Sequence, residues 1–176
     1  MRYLVLGKDR PAADAPPSAY RLAHSFRYVE IWRNDGAYPR FLNPTNVRML
    51  DVGVMPDVTQ FIDTDFASVL WLTPRDADDH DTGRASEHSC RGSVRSETLR
   101  VANTVTTIRT EAASPGWIVA GDLDYPGWTA ELDGQSIPIH RANGMFRAVC
   151  VPAGEHELSF VFHPWGMVAY AWRHRG

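Results

Sequence analysis

The feature that most constrains this chain is the alternation of short β-rich segments with turn signals between residues 98 and 164. Strands separated by turn residues roughly every 8–12 positions are typical of an antiparallel β-sandwich. Asp133-Gly134 and Asn143-Gly144 suit the positive φ angles of tight connections. The sequence therefore predicts an all-β, jelly-roll-like sandwich with strands near residues 98–111, 117–120, 128–132, 136–140, 145–151 and 156–163.

The first part of the chain shows a weaker β pattern. Residues 2–6 form a short apolar run, and apolar side chains alternate tolerably over residues 26–33. Asp35-Gly36 then predicts a hairpin that leads into a strand at residues 37–43. Apolar residues recur between 47 and 73, so we expect more strands there, with one or two short helices near 47–66.

Residues 74–97 are polar and charged, with almost no large apolar side chain. A segment of this composition cannot pack a core, so we expect a long exposed loop, partly disordered. With 176 residues in all, the chain is expected to form a single β-sandwich domain over 1–176. The alternation of the β-rich segments places these residues in its core: Val101, Val105, Ile108, Trp117, Val119, Trp128, Leu132, Phe146, Val149, Leu158 and Phe160.

Charge and hydropathy exclude two classes of function. The chain has 18 basic and 21 acidic residues, a net charge of −3, and so lacks the basic field that nucleic-acid binding needs. No apolar stretch approaches the roughly 18–20 residues of a membrane helix. We therefore expect a soluble chain without a nucleic-acid partner.

The cysteines and histidines give no metal or cofactor motif. Cys90 and Cys150 are the two cysteines, and no CxxC spacing exists. They pair only in an oxidising compartment, and two reduced cysteines are the alternative we favour. The seven histidines form no HExxH motif, and the acidic run at residues 76–81 lacks the glycine and glutamate of a calcium loop. We expect no metal and no cofactor.

Several short sequence runs resemble those of a known protein family. None of these runs is specific alone, but their order and spacing together are. The segment 114–164 resembles the C-terminal extracytoplasmic segment of the bacterial YfhO-type membrane proteins. The front of the chain, at residues 2–6 and 29–41, resembles the family more weakly. The runs that match in residues 114–164 are Pro115-Gly116-Trp117, Pro126-Gly127-Trp128, Leu132-Asp133-Gly134, Phe146-Arg147-Ala148-Val149 and Val151-Pro152-Ala153-Gly154-Glu155-His156.

The resemblance implies a location and a partner. YfhO-type proteins are large, span the membrane many times, and are related to glycosyltransferases that use lipid-linked sugars. Their membrane helices are missing here, and a last one would start near Trp165. This chain would then be the extracytoplasmic portion, and its partner the membrane-embedded part of the parent protein. The catalytic acidic residues of such transferases lie near the first membrane helices, so we expect no catalytic residue and no enzyme activity here.

A candidate carbohydrate site combines Asp122, Tyr125, Trp128, Asp133 and Arg141. Aromatic rings stack on sugar faces, while carboxylates and guanidinium groups form hydrogen bonds with hydroxyl groups. The competing interpretation is that Trp128 belongs to the core and that the preceding residues only form a turn. We favour that interpretation.

Three functions remain open at this stage. The first is a non-catalytic module that binds an acceptor glycan or a cell-envelope polymer. The second is a structural or interaction domain without a ligand, which docks on membrane helices or a partner protein through residues 3–6 and 164–172. The third is a hydrolase that uses Asp122 and Asp124, which share a strand face; a solvated turn is the interpretation we favour for that pair.

Overall fold

The computed structural model describes residues 2–11, 15–50, 59–62, 64–73 and 89–173. The chain divides into two compact units, Met1–Pro39 and Arg40–Gly176. A single domain over residues 1–176 stays a prediction.

The first unit contains a three-stranded antiparallel sheet in the order β1-β3-β2. Its strands are β1 (Tyr3–Gly7), β2 (Tyr20–Ser25) and β3 (Val29–Asn34). The hairpin predicted at Asp35-Gly36 is wrong, because β3 pairs with β1 and β2 rather than with the segment that follows it. The Asn34 side chain instead accepts a hydrogen bond from the backbone N–H of Gly36 at 2.9 Å.

The second unit contains two sheets. The five-stranded sheet has the order β11-β10-β14-β8-β7, and the six-stranded sheet has the order β4-β9-β13-β12-β6-β5. In chain order the strands are β4 (Phe41–Leu42), β5 (Asn46–Met49), β6 (Val69–Leu72), β7 (Val94–Val101), β8 (Val105–Ala112), β9 (Gly116–Leu123), β10 (Trp128–Leu132), β11 (Gln135–Ile137), β12 (His140–Ala142), β13 (Phe146–Val151) and β14 (Gly154–Phe162). The all-β, sandwich-like prediction is confirmed, although β5 and β6 pair in parallel.

Two helices accompany the sheets in the part of the chain that the structure describes. Helix α1 (Thr59–Ile62) lies within the predicted helical region 47–66, and helix α2 (Pro164–Arg173) begins at a proline, which suits the first turn of a helix. Among the described residues, neither helix has the length and apolar character that crossing a bilayer requires.

Both predicted tight connections are confirmed. Asp133 and Gly134 have φ angles of 51° and 78° between β10 and β11, and Asn143 and Gly144 have φ angles of 50° and 79° between β12 and β13. Asn, Asp and Gly are the residues that tolerate this left-handed conformation.

Within the six-stranded sheet, strands β9 and β13 have buried residues on both faces. One face packs on the five-stranded sheet, with Ile118 and Val149 against Ile108, Leu158 and Phe160. The opposite face forms a second buried cluster that includes Trp117, Val119, Ala148, Leu70 and Cys90.

Most of the predicted core is confirmed, and the assignment of one residue, Val101, to the core is wrong. Ile108, Trp117, Val119, Val149, Leu158 and Phe160 are fully buried. Val101 is 57% exposed; it is the last residue of β7, which is an edge strand of the five-stranded sheet among the described residues.

Cys90 and Cys150 form a disulfide, with their Cα atoms 6.1 Å apart. The preference for two reduced cysteines is therefore wrong. Residues 74–88 of the predicted exposed loop lie outside the described residues. The last part of that segment, residues 89–97, differs from the predicted exposed loop. Cys90 and Val94 are buried, and strand β7 begins at Val94.

Removing the disulfide should lower the stability of the fold. The two cysteines are 60 residues apart, and the loss of a native disulfide costs about 2–5 kcal/mol. We expect the C90S/C150S double variant to unfold at a lower urea concentration than the oxidised protein, as measured by tryptophan fluorescence. The reduced wild-type protein is the matched control and should unfold with the double variant. Equal midpoints for the oxidised and reduced wild-type protein would contradict the structural role.

An arginine, aspartate and aromatic cluster

Three chain segments meet where the chain crosses from the six-stranded to the five-stranded sheet. Strand β9 ends at Leu123, residues 124–127 form the crossing, and β10 begins at Trp128. Strand β13 lies beside β9, with Phe146 opposite Leu123. This arrangement brings the residues around the crossing next to the first residues of β13.

Arg147 is the centre of the cluster. Its side chain is 1% exposed, and it follows a register irregularity between Phe146 and Arg147 in the pairing of β13 with β9. The guanidinium carbon lies 3.6 Å from the centroid of the Trp128 ring and 5.4 Å from that of Phe160. A desolvated cation over an aromatic face gains about 2 kcal/mol or more, which offsets part of the cost of burying the charge.

The charge of Arg147 is only partly matched by hydrogen bonds. Its Nη2 donates to Asp122 Oδ2 at 3.4 Å, whereas Nε and Nη1 are buried and have no partner among the described residues. Burial lowers the pKa of Arg147, while Asp122 and Asp124 oppose that shift. Because arginine normally titrates far above neutral pH, the group stays charged.

Asp122 links the buried arginine to an exposed one. Arg40 donates from Nε and Nη2 to Asp122 Oδ2 at 2.9 and 2.8 Å. Arg40 directly precedes β4, and its carbonyl accepts a hydrogen bond from the N–H of Gly121 at 2.8 Å. The pairing of β4 with β9 therefore places Arg40 beside Asp122.

A second ion pair lies next to the first. Arg141 Nε donates to Asp124 Oδ2 at 3.4 Å, and the N–H of Asp124 donates to the carbonyl of Met145 at 2.7 Å. Arg141 is directly opposite Arg147 across β12 and β13. Directly opposite residues of paired strands share a face, so the two arginines lie on the same side of the sheet.

The aromatic residues form a packed group beside these ion pairs. The Tyr125 ring centroid lies 6.1 Å from that of Trp128 and 5.4 Å from that of Phe162, and the Trp128 and Phe162 centroids are 5.2 Å apart. Trp128 is half-buried, with one ring face against Arg147. Tyr125 is 40% exposed and is the ring of this group with the most open surface.

The structure brings together four of the five predicted site residues. Asp122, Tyr125 and Trp128 are in the cluster, and Arg141 joins it through Asp124. Asp133 is elsewhere, in the turn after β10.

Sequence reasoning missed Arg40 and Arg147. Arg147 had a usable signal, because it is two residues from Val149 on the same strand and side chains alternate between faces. Arg40 had none, since its position depends on a pairing between distant strands.

Asp133 forms a separate ion pair with His156. Its Oδ2 lies 2.6 Å from His156 Nδ1, and its Oδ1 accepts a hydrogen bond from the N–H of Glu157 at 2.8 Å. His156 Nε2 lies 3.2 Å from the carbonyl oxygen of Ala153, in the turn before β14. Both partners are acceptors, so this arrangement favours the imidazole with both ring nitrogens protonated and raises the pKa of His156.

Comparison with known proteins gives one match. Residues 93–171 match the family model described as "Bacterial membrane protein YfhO". No curated protein and no solved structure matches the chain. The matched segment contains every residue of the cluster except Arg40.

The Asp133–His156 pair should make stability depend on pH. The pKa of His156 is raised above 6.5 by its bond to Asp133, and that of Asp133 is lowered below 3.8 by its bond to His156. The contribution of His156 to folding stability is complete below pH 6.5 and is lost as the pH rises through its raised pKa. The contribution of Asp133 is complete above pH 3.8 and is lost as the pH falls through its lowered pKa.

The stability difference between the wild-type protein and Asp133→Asn should therefore be largest between pH 3.8 and 6.5 and shrink on either side. Melting temperatures across the pH range measure it, with Glu155→Gln as the neighbouring control. A difference that does not vary with pH would show that this pair is not the cause.

Replacing Arg147 should destabilise the fold. Arg147→Ala leaves a cavity below Trp128 and removes the contact of the guanidinium with that ring, and truncating a large buried side chain to alanine costs about 2–5 kcal/mol. The matched control Arg109→Ala removes a half-exposed arginine of β8 and should change stability by about 0.5 kcal/mol or less. Urea unfolding measures both, and equal losses would contradict a central role for Arg147.

Proposed function

We propose that this chain is a non-catalytic module of a larger membrane protein of the YfhO type, because residues 93–171 match the model of that family. It lies on the extracytoplasmic side of the bacterial membrane, next to the membrane-embedded part of its parent. Its Arg40, Asp122, Asp124, Tyr125 and Arg141 face binds an acceptor glycan or a cell-envelope polymer.

The disulfide supports the extracytoplasmic side. Disulfides persist in oxidising compartments and are rare in the reducing cytosol. Cys90 and Cys150 are bonded to each other, and Cys90 is fully buried in the second core cluster. A cross-link inside the core fits a domain that folds outside the cytoplasm.

The ion pairs support a binding role rather than a catalytic one. Glycosidases use two carboxyl groups that face each other across the scissile bond, one as acid and one as base or nucleophile. Here Asp122 is bonded to Arg40 and Arg147, and Asp124 to Arg141. Carboxylates paired with guanidinium groups in this way position hydrogen-bond donors and acceptors.

The observation that supports glycan binding most strongly is the setting of Tyr125. Its ring is partly open to solvent and is braced by Trp128 and Phe162. Asp124, the residue before Tyr125 in the chain, is bonded to Arg141, whose side chain is 53% exposed. A rigid aromatic face bordered by carboxylate and guanidinium groups combines stacking with hydroxyl recognition.

A second candidate function has its own observation. Trp165, Val168 and Trp172 lie at positions i, i+3 and i+7 of α2 and so share a helix face, and the two tryptophans are 81% and 76% exposed. In this alternative the chain is an interaction domain without a ligand, and this face docks on the membrane-embedded part of the parent protein or on a partner protein.

A glycan array followed by titration calorimetry tests the first candidate. We expect at least one saccharide to bind at millimolar concentration or better, and Tyr125→Ala to weaken that binding about tenfold, equivalent to about 1.4 kcal/mol. Tyr125→Phe is the matched control, because it keeps the ring. No binding on the array or in calorimetry would overturn glycan recognition and leave the docking function.

A further inference from the structure

The cluster contains one more positive than negative group. Arg40, Arg141 and Arg147 supply three guanidinium groups, and Asp122 and Asp124 supply two carboxylates. These five groups form one connected set of ion pairs and through-space interactions, since Asp122 and Asp124 both act on Arg147. The set therefore has a net charge of +1 when all its members are ionised, within a chain whose net charge is −3.

The two exposed arginines of the cluster have donors that no described residue uses. Arg141 is 53% exposed, and among the described residues it donates only from Nε, to Asp124 at 3.4 Å. Arg40 uses Nε and Nη2 toward Asp122. A guanidinium group has five N–H donors in a planar fork, so both arginines retain donors that no described residue uses.

The buried arginine adds to the local excess. Arg147 is almost completely buried, and its Nε and Nη1 have no hydrogen-bond partner among the described residues. The low polarity of its surroundings screens its charge less than water would. Its field therefore acts on whatever occupies the surface beside Asp122 and Asp124.

We propose that the ligand of this face is an anionic saccharide. This inference rests on the proposed glycan-binding function and specifies its ligand class. A carboxylate or phosphate of the sugar accepts hydrogen bonds from the free donors of Arg141 and Arg40, and the sugar ring lies on Tyr125. Arginine favours such planar, two-point recognition of oxyanions, and the added negative charge neutralises the cluster.

Because the whole chain is negatively charged, an anionic ligand is attracted only near the arginines of the cluster. A net charge of −3 repels polyanions at long range. A highly charged polymer is therefore not collected by the protein as a whole, and an anionic ligand binds where the arginines are. Binding should accordingly depend on Arg141 more than on arginines of other strands.

Paired probes separate charge from sugar recognition. In calorimetry, trigalacturonate should bind about tenfold more tightly than its fully methyl-esterified form, which has the same ring and no charge. Glucose 6-phosphate against glucose tests the phosphate source in the same way, and inorganic phosphate alone should bind more weakly than either charged sugar.

Equal binding of acid and ester, and of glucose 6-phosphate and glucose, would overturn the anionic class while glycan binding stands. Binding of inorganic phosphate as tight as that of the charged sugars would overturn the saccharide requirement. No binding of any saccharide would overturn the proposed function as well.

Variants of Arg141 and of its partner Asp124 test the location. Arg141→Gln should remove most of the preference for trigalacturonate over its ester, whereas Asp124→Asn should increase it, because the carboxylate no longer competes for Arg141. Arg109→Gln is the matched control and should leave the preference unchanged. Thermal unfolding confirms that each variant is folded. A preference that survives Arg141→Gln, or that falls equally in Arg109→Gln, would overturn the assignment.

Discussion

The cluster depends on one charged side chain buried between two sheets. The guanidinium of Arg147 lies against the face of Trp128 and within reach of Asp122. Removing a charge from water costs several kcal/mol unless nearby groups compensate, so the ring and the carboxylate must remain in place for the fold to tolerate it. Because Arg147 contacts both groups, it holds Trp128, the first residue of β10, close to Asp122 near the end of β9. Tyr125, in the connecting residues, packs against Trp128 and Phe162.

Strand β13 shows how the sequence produces this geometry. Its side chains alternate between two buried surfaces, with Val149 and Val151 in the core between the sheets and Ala148 in the second cluster. Cys150 packs against that second cluster and is bonded to Cys90. The strand that presents Arg147 to Trp128 is thus held from its other face by a covalent link. Packing on one face and the disulfide on the other both hold this strand in place. A binding surface that is already ordered loses little entropy when a ligand binds.

Turns that depend on neighbouring residues could be predicted from the sequence, whereas pairings between residues far apart in the chain could not. Asp133-Gly134 and Asn143-Gly144 specify their turns through φ angles that few other residues tolerate. Asp35-Gly36 carries the same signal, but a turn does not determine which strands pair, and β4 pairs with β9 instead of β3. The site prediction fails for the same reason at Asp133, which is close in sequence to Trp128 but is bonded to His156 on β14. Cysteine pairing likewise depends on the folded chain and on the compartment.

The most direct test of this view of the molecule is an NMR titration of the ¹⁵N-labelled chain with trigalacturonate. We expect the largest shifts at the backbone amides of residues 122–125 and 141 and at the side-chain Nε–H groups of Arg40 and Arg141, with little change at the pair of Asp133 and His156. Shifts concentrated on α2 or on the turn at Asp133, or no shifts at any saccharide concentration, would contradict a binding face organised by Arg147.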